Sequence, residues 1–403
     1  MTGTDPAFLP YGRQSVDEDD VAAVVAVLRG DFLTQGPTVD AFEKALAARV
    51  GVTHAVACAN GTAALHLAYL ALGLEAGDAV VVPANTFLAT ASAARLTGAE
   101  IAFADVDPET GLMRVEHAAA ALARARAAGW RPRALAPVHF AGQCADMDQL
   151  GALAEAEGLA VVEDACHALG ARSGAVPVGA CDRSAMAVFS FHPVKTVAAG
   201  EGGAVTTNDA KLAARLRLFR NHGMTRDPAD FTDPQAGFAA SGAANPWYYE
   251  MAEPGFNYRL TDIQSALALS QLARLDAFIA RRRHLMDLYA ERLAPLAPLA
   301  RPLARAGWCD PAWHLCVARI DFAAAGVERA VVMAALRARG VGTQVHYIPV
   351  HRQPYWRKRH GDLALPGADA YYARTLSLPL FPAMADADVD RVVGALEVAL
   401  RRG

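Results

Sequence analysis

The sequence predicts an α/β fold, with a large domain built on a mixed, mostly parallel sheet flanked by helices and a smaller C-terminal α+β domain. Two observations predict it. From about residue 40 to residue 209, short apolar runs alternate with segments that carry helix-forming residues at a spacing of about 3.6. Several of the short runs are apolar on both faces, which is typical of parallel strands buried between layers of helices.

The strands of the large sheet are predicted at these short apolar runs. They are residues 79–83, 101–106, 134–140, 159–165, 185–191 and 203–207. Ligands of open α/β sheets bind beyond the carboxyl ends of the strands. Polar residues at the ends of the runs are therefore the first candidates for function.

An irregular segment, residues 224–256, interrupts the pattern and is rich in Pro, Gly, Ala and aromatic residues. Such a segment inside a compact protein is usually functional or disordered, and its WYYE cluster favours an ordered binding loop. A single long helix is predicted over residues 261–293, with Thr261 as its N-cap and Asp262 in its first turn.

A strand-like run at residues 312–320, a helix around 327–339 and a run at 342–351 indicate the smaller domain. We therefore assign residues 1–265 to the large domain and residues 266–403 to the long helix and the small domain.

The composition favours an ordinary globular protein that acts on a small molecule. Of its 403 residues, 53% are hydrophobic and 20% charged, and the net charge of −4 provides no basic field for nucleic acid or an anionic membrane. We see no secretory signal and no apolar run near the ~20 residues of a membrane span. The six cysteines form no C-x-x-C pair and no zinc-type cluster, so we expect reduced thiols, no metal and a cytoplasmic location.

Candidate catalytic residues stand at the predicted strand ends. Asp164 closes the run 159–165, where a carboxylate can hold a protonated pyridine nitrogen, and His167 follows within reach of the same ligand. Taken alone, such an acid is equally well explained as the cap of the next helix. Phe87 follows the run 79–83 and could stack on a planar ring or belong to the core.

The segment 58–72 contains Asn60, Gly61 and Thr62 at the start of a helix. The free N–H groups and the dipole of a helix start bind phosphate, Gly61 lets the backbone approach closely, and Thr62 offers a hydroxyl. The same three residues are also a common way to begin a helix.

The strand that starts with the run 185–191 is predicted to end in Lys195, just before a glycine-rich turn, with Ser190 five residues before the lysine. Lysine, acid, ring stacker and phosphate donors together match the requirements of pyridoxal phosphate, which binds its lysine as a Schiff base. No single member of the set is specific, whereas their combination and order are.

These motifs resemble those of the DegT/DnrJ/StrS-type sugar aminotransferases, which are fold type I pyridoxal-phosphate enzymes acting on nucleotide-linked ketosugars. The resemblance runs over nearly the whole chain, from residues 29–47 to residues 256–269. Three segments are most similar to the UDP-4-amino-4,6-dideoxy-N-acetyl-β-L-altrosamine transaminases of pseudaminic acid synthesis, namely 189–203, 246–264 and 344–356.

The resemblance implies a role for each cofactor residue. Lys195 would bind the cofactor and then act as general base and acid, Asp164 would keep the ring nitrogen protonated, and His167 would lie near the ring hydroxyl. Further contacts are implied for Gly61, Thr62, the Ala63 amide and Ser190 at the phosphate, for Phe87 over the ring, and for Asn257 at the phosphate of the neighbouring subunit. The last contact implies a homodimer with a shared active site.

The resemblance also implies the substrate contacts. Arg259 is a candidate for the carboxylate of the amino donor. The sugar-nucleotide pocket would be lined by Tyr11, Tyr248, His346 and Tyr347. The alternative interpretation of these side chains is that they are structural aromatics.

The implied reaction is a ping-pong transfer from L-glutamate, through pyridoxamine phosphate, to C4 of a UDP-linked 2-acetamido-2,6-dideoxy-hexos-4-ulose. The alternatives are another nucleotide 3- or 4-ketosugar aminotransferase of the family, a pyridoxamine-phosphate-dependent sugar dehydratase, and a non-catalytic homologue. Dehydratases of this kind carry histidine at the position of Lys195, which argues against the second. Thr196 and Arg352 depart from the subfamily pattern, and the stereochemistry at C3 and C5 stays open.

Overall fold

The computed structural model describes residues 8–401. In chain order its strands are β1 (His54–Cys58), β2 (Asp78–Pro83), β3 (Glu100–Ala104), β4 (Arg131–Leu135), β5 (Ala160–Asp164), β6 (Arg172–Ser173), β7 (Val176–Pro177), β8 (Met186–Ser190), β9 (Gly203–Thr207), β10 (Met224–Thr225), β11 (Glu250–Met251), β12 (Ala300–Pro302), β13 (Cys309–Asp310), β14 (Cys316–Ile320) and β15 (Thr375–Leu378).

Helices alternate with these strands along much of the chain. They are α1 (Glu18–Leu28), α2 (Pro37–Val50), α3 (Gly61–Ala71), α4 (Leu88–Leu96), α5 (Val115–Ala127), α6 (Met147–Glu157), α7 (Ala210–Arg220), α8 (Pro234–Gly237), α9 (Asp262–Ala273), α10 (Leu275–Leu293), α11 (Arg329–Arg337), α12 (Pro354–His360), α13 (Pro366–Arg374) and α14 (Asp386–Leu400).

The large sheet has seven strands in the order β1-β9-β8-β5-β4-β2-β3. The five strands from β8 to β3 run parallel, whereas β9 is antiparallel to both of its neighbours. Every residue of β2 is buried, as expected for a strand covered on both faces. This architecture confirms the predicted mixed, mostly parallel sheet with flanking helices.

Helices cover both faces of the large sheet, because successive side chains of a strand point to opposite faces. Phe189 of β8 packs in one core with Phe42 of α2, and its neighbour Val188 packs in another with Tyr69 of α3. All of these side chains are almost fully buried. The carboxyl ends of β5 and β8 therefore meet at one edge of a sheet that is held rigidly between two helical layers.

A smaller sheet, in the order β12-β14-β15, packs against α10, α11 and α14. Its core contains Tyr289, Ile320, Leu336 and Val392. The boundary between residues 265 and 266 stays a prediction. Apolar side chains on both sides of it pack into the core of the large sheet, including Leu260 and Leu275.

Strand β1 was not among the predicted strands. It is a short run that leads directly into α3, and its place in the sheet comes from antiparallel pairing with β9, far along the chain. The predicted strand 134–140 is also too long at its end, because β4 stops at Leu135 and residues 140–142 form a 3-10 turn. Within the run 342–351, Gln344 forms an isolated bridge with Ser377, and a 3-10 turn begins at Val350.

The predicted long helix over residues 261–293 is divided at Arg274 into α9 and α10. The Arg274 guanidinium pairs with the carboxylates of Asp17 and Asp20, next to α1. Helix α9 packs on α1 and α2, whereas α10 begins in the core of the large sheet with Leu275 and Ile279 and continues into the core of the small sheet. The predicted start is confirmed, because the Thr261 hydroxyl accepts a hydrogen bond from the Gln264 N–H at 3.2 Å.

Residues 224–256 are largely irregular, with one short strand pair, β10 with β11, and the one-turn helix α8. The Glu250 carboxylate organises the segment by accepting hydrogen bonds from Thr232, from the Asp233 N–H and from Tyr248. Within residues 8–401, no helix is both long and apolar enough to cross a membrane.

A substitution at Gly203 tests the close contact between β9 and the turn that leads into α3. A Cβ atom on Gly203 would stand 2.3 Å from the carbonyl oxygen of Asn60, far closer than van der Waals contact. We expect Gly203→Ala to destabilise the protein by about 1–3 kcal/mol, because the turn must shift. Thermal unfolding measures this effect, and the midpoint temperature of the variant should be lower than that of the wild type.

Gly394→Ala is the matched control. Gly394 is exposed within α14, and a Cβ atom there meets nothing within 4 Å. Alanine stabilises a helix interior over glycine by about 0.5–1 kcal/mol, so this variant should unfold at a higher temperature. A Gly203→Ala protein that unfolds no earlier than the wild type would contradict the close approach.

Candidate active site

A cavity of about 820 Å³ opens beyond the carboxyl ends of β5 and β8. It brings together most of the residues that the sequence nominated. Those that line it are Tyr11, Gly61, Thr62, Ala63, Phe87, Asp164, His167, Ser190, Lys195, His346 and Tyr347. Their convergence from distant parts of the chain makes this cavity the candidate active site.

Asp164 is the last residue of β5 and is buried. Its Oδ2 accepts a hydrogen bond from the Thr90 hydroxyl at 2.6 Å, and its Oδ1 accepts one from the Cys166 N–H at 3.2 Å. Thr90 is itself fully buried, and its Oγ1 lies 2.7 Å from that of Thr86. Hydrogen bonds to both oxygens hold the carboxylate in one orientation at the floor of the cavity.

His167 is held as a neutral imidazole with a defined tautomer. Its Nδ1 accepts a hydrogen bond from the Ala141 N–H at 3.3 Å, so its proton lies on Nε2, which is 3.1 Å from the Tyr347 hydroxyl. Burial, with the charge of Lys195 nearby, lowers its pKa well below 6.5. His167 therefore donates to Tyr347, and the Tyr347 O–H proton is left for a ligand.

The predicted strand end at Lys195 is wrong, because β8 ends at Ser190. Lys195 lies in the turn that follows, where its backbone N–H donates to the His192 carbonyl at 2.8 Å. Burial lowers the pKa of its amine below 10.5, while Cys166 and Asp164 act in the opposite direction. Desolvation outweighs the attraction of the carboxylate, so a larger fraction of the amine is neutral than for a lysine in water. A neutral amine can act as a nucleophile or take up a proton.

The start of α3 forms the opposite end of the cavity. A Cβ atom on Gly61 would stand 2.8 Å from the Cβ of Ser190, so only glycine lets the helix start approach β8 this closely. The Ala63 N–H, predicted to bind phosphate, donates to the side chain of the N-cap Asn60 at 2.8 Å. The exposed Thr62 and the half-buried Ser190 place hydroxyl groups on the same wall.

Aromatic side chains form the outer wall. The rings of Tyr11 and His346 are 5.4 Å apart, and those of Phe87 and Tyr347 are 6.0 Å apart. Phe87 is 55% exposed, which leaves its face available to a planar ligand. Burial lowers the pKa of His346 to about 3, and its Nδ1 is 2.7 Å from the Ser377 hydroxyl.

Three nominated residues lie outside this cavity. Asn257 is exposed and forms a backbone bridge with Asn221, whose side chain accepts a hydrogen bond from Arg259 at 2.6 Å. Arg259 lines a separate cavity of about 620 Å³. The Tyr248 hydroxyl donates to Glu250 at 2.9 Å within the segment 224–256.

Several residues at the site were not nominated from the sequence. Thr90 orients Asp164 across 74 positions of the chain, and His314 lines the cavity with its ring 4.4 Å from that of His167. The cavity is also lined by Asn60, Thr86, Cys166, His192, Glu201, Tyr258, Gln344 and Gln353. Thr90 follows Phe87 by one helical turn, which was a usable signal, whereas nothing in the local sequence marks His314.

The residues present fit pyridoxal phosphate. Asp164 offers a fixed carboxylate for the ring nitrogen, and Lys195 offers an amine with a lowered pKa. The close approach at Gly61 creates room for a phosphate beside a helix N-terminus and two hydroxyl groups. Within residues 8–401, no cluster of His, Cys, Asp and Glu side chains suited to a metal ion is present.

Comparison with known proteins agrees with this geometry. The sequence profile of the DegT/DnrJ/EryC1/StrS aminotransferase family matches residues 14–397. Helicobacter pylori PseC, an aminotransferase involved in the biosynthesis of pseudoaminic acid, is 26% identical, with a TM-score of 0.87 over 98% of this chain and 100% of that one.

Two further solved structures have higher identity. DesV of S. venezuelae is 32% identical, with a TM-score of 0.83 over 98% of this chain and 100% of its own. DesI, determined in the presence of its TDP-sugar product, is 33% identical, with a TM-score of 0.85 over 99% and 94% of the two chains. The similarity therefore extends over both the large sheet and the small one.

The hydrogen bond from Thr90 to Asp164 provides a test of the site. Thr90→Val preserves the shape of the side chain but leaves a buried carboxylate oxygen without its donor, at a cost of about 1–3 kcal/mol. We expect the affinity of the apo-protein for pyridoxal phosphate to fall on the order of tenfold, because the carboxylate loses its fixed orientation. Titration followed by absorbance measures this affinity.

Thr90→Ser is the matched control, since it keeps the hydroxyl and should bind the cofactor nearly as the wild type does. Equal affinities for the valine variant and the wild type would show that Thr90 does not orient Asp164.

Proposed function

The chain belongs to the DegT/DnrJ/EryC1/StrS aminotransferase family, and from this membership we propose that it transfers the amino group of L-glutamate to C4 of a UDP-linked 2-acetamido-2,6-dideoxy-hexos-4-ulose. The product would be a UDP-4-amino-4,6-dideoxy sugar of the pseudaminic acid pathway. The observation that carries the proposal is the presence of Lys195 and the oriented Asp164 in one cavity at the sheet edge.

The family is one of sugar aminotransferases that use pyridoxal phosphate, and the fold type I architecture expected from the sequence is confirmed. When bound, this cofactor supplies an electron-accepting ring that carries the amino group from donor to acceptor. The residues of the chain bind and orient it and move the protons.

Proton transfer falls to Lys195. Its neutral amine can remove the proton from the α-carbon of glutamate in the first half-reaction, and its protonated form can deliver a proton to C4 of the sugar in the second. The lowered pKa suits both tasks, because the amine passes readily between its neutral and charged forms. Asp164 would hold the ring nitrogen of the bound cofactor protonated. The Tyr347 oxygen accepts a hydrogen bond from His167, so the Tyr347 O–H is free to donate to a ligand.

The cavity has room for a substrate besides the cofactor. Small-molecule sites occupy roughly 300–1,000 Å³, and this one measures about 820 Å³. The sugar end of the substrate would lie against Tyr11, His346 and Tyr347. Lys195 favours a transaminase over the dehydratase alternative, since the proposed proton transfers require an amine at that position.

A homodimer with a shared active site is part of the proposal. Asn257 and Arg259 lie outside the cavity of their own chain, although family resemblance gives them cofactor and donor contacts. A second copy that presents these residues to the cavity would reconcile the two observations. Tyr248, on the same stretch of chain, would then approach the sugar nucleotide from the partner.

Two observations support the proposed assignment to the pseudaminic acid subfamily. Three segments resemble pseudaminic acid transaminases, and the likeness to PseC extends over nearly the full length of both chains. The likeness to DesI, which was determined with a TDP-sugar, keeps a different nucleotide and ketosugar as the second candidate. Both candidates can be tested in one assay.

The purified enzyme with glutamate and pyridoxal phosphate should form 2-oxoglutarate when given the UDP-linked L-arabino 4-ketosugar. The D-xylo epimer and a TDP-linked 4-ketosugar, assayed side by side, should be poorer substrates. Lys195→Ala should abolish turnover, and Lys211→Ala, at an exposed position on α7, should retain it. A preference for the TDP-sugar would contradict the proposed UDP-linked substrate. If no ketosugar led to consumption of glutamate, the aminotransferase assignment itself would be refuted.

The lowered pKa of Lys195 predicts how cofactor capture depends on pH. The neutral amine is the reactive form, so the capture rate of pyridoxal phosphate by the apo-protein should rise with pH and level off above the pKa of Lys195. Because burial lowers this pKa, the midpoint should lie below 10.5. Stopped-flow absorbance measures the rate of this capture. The Lys195→Ala protein should not show the absorbance change that accompanies it. A midpoint at 10.5 or higher would contradict the desolvation of Lys195.

A further inference from the structure

Two cysteines far apart in the sequence meet outside the active site. The Sγ atoms of Cys144 and Cys309 are 2.9 Å apart, across 165 positions of the chain. Both residues are buried, and the Cys144 N–H also donates to the Cys309 Sγ at 2.9 Å. The two sulfurs of a disulfide bond are about 2.05 Å apart. The Sγ atoms of Cys144 and Cys309 therefore need to move only slightly closer to form one.

Hydrogen bonds between the two segments hold the thiols of Cys144 and Cys309 next to each other. The Ala312 N–H donates to the Gly142 carbonyl at 3.0 Å, and the Trp308 indole N–H donates to the Cys144 carbonyl at 3.1 Å. A third bond joins the Ala306 N–H to the Gln143 side chain at 2.8 Å. The segments that carry Cys144 and Cys309 are therefore fixed to each other independently of the sulfur atoms.

The environment assigns different roles to the two sulfurs. The side chain and the N–H of Cys144 and the charge of Arg305 lower the pKa of the Cys309 thiol below 9.0. The pKa of Cys144 is raised, because its thiol is hydrogen-bonded to Cys309 and is buried. Cys309 is therefore the better nucleophile, and Cys144 is placed to react with it.

A small cavity reaches Cys144, whose Sγ is in contact with that of Cys309. It measures about 80 Å³, and its lining includes Cys144, but not Cys309, together with the exposed residues Asp148 and Arg183. Since one water occupies about 30 Å³ of liquid, this volume admits hydrogen peroxide but excludes an oxidant as large as glutathione disulfide.

We propose that Cys144 and Cys309 are an oxidisable thiol pair, which a small peroxide converts into an intramolecular disulfide bond within the native fold. The Cys309 thiolate attacks one peroxide oxygen, the O–O bond breaks, and the departing hydroxide takes up a proton to leave as water. The Cys144 sulfur then attacks the sulfenic sulfur of Cys309, the S–O bond breaks, and a second water leaves with the Cys144 proton. Two thiols are oxidised and both peroxide oxygens are reduced.

The reaction is reversible, because two equivalents of an added thiol reduce the disulfide again. In a reducing compartment, the bond would form only while peroxide is present. Cys144 closely follows the 3-10 turn that carries Ala141, whose N–H donates to His167. The pair therefore lies close behind the wall of the active site without contacting the proposed substrate.

The experiment uses the intact holoenzyme. It is treated with hydrogen peroxide, its remaining thiols are blocked with N-ethylmaleimide, and it is digested without reductant for mass spectrometry. We expect a crosslinked peptide pair containing Cys144 and Cys309, two hydrogens lighter than the sum of its parts, which disappears after dithiothreitol. This readout does not depend on catalysis, so it stands apart from the test of the proposed function.

Two variants serve as controls. Cys309→Ser should abolish the crosslink, whereas Cys181→Ser, which changes another cysteine of the same cavity, should leave it intact. Oxidation confined to Cys166 or the other cysteines would overturn the proposal. A crosslink that forms only after unfolding in urea would overturn it as well, because the pair would then not be arranged by the fold.

Discussion

The parallel pairing of β5 with β8 is the constraint on which the rest of the site depends. Asp164 pairs with Val188 in this ladder, so the end of β5 is fixed relative to the end of β8 and to the turn that carries Lys195. A slip of one residue would turn every side chain of a strand to the opposite face. The buried cores on both faces prevent such a slip, because Val188 and Phe189 belong to different cores.

The charge states of the side chains around Lys195 follow from their burial at this edge of the sheet. Three imidazoles, those of His167, His314 and His346, surround Lys195, and desolvation lowers the pKa of each. At neutral pH they therefore add no positive charge, and His167 and His346 contribute hydrogen bonds to Tyr347 and Ser377. The pKa of the Lys195 amine then depends on its own burial, which lowers it, and on Cys166 and Asp164, which raise it.

The sequence was informative where function depends on strand ends and less so where it depends on contacts between distant segments. Asp164, Ser190 and Lys195 stood out because each closes or follows an apolar run. Strand β1 was missed because its place in the sheet is decided by pairing with β9, and the break at Arg274 because it depends on carboxylates near the N-terminus. His314 was missed for the same reason, since it acts through a residue far from it in the chain, whereas the spacing of Thr90 from Phe87 could have indicated its role.

The hydrogen bond between Asn60 and the Ala63 N–H changes how phosphate binding at the start of α3 should be understood. This amide is already occupied by a side-chain carbonyl, so a phosphate that takes it exchanges one partner for another. The net gain is the difference between a charge-assisted bond and a neutral one. Asn60 thus acts as a built-in competitor, which completes the helix start in the absence of ligand and moderates how tightly an anion is retained there.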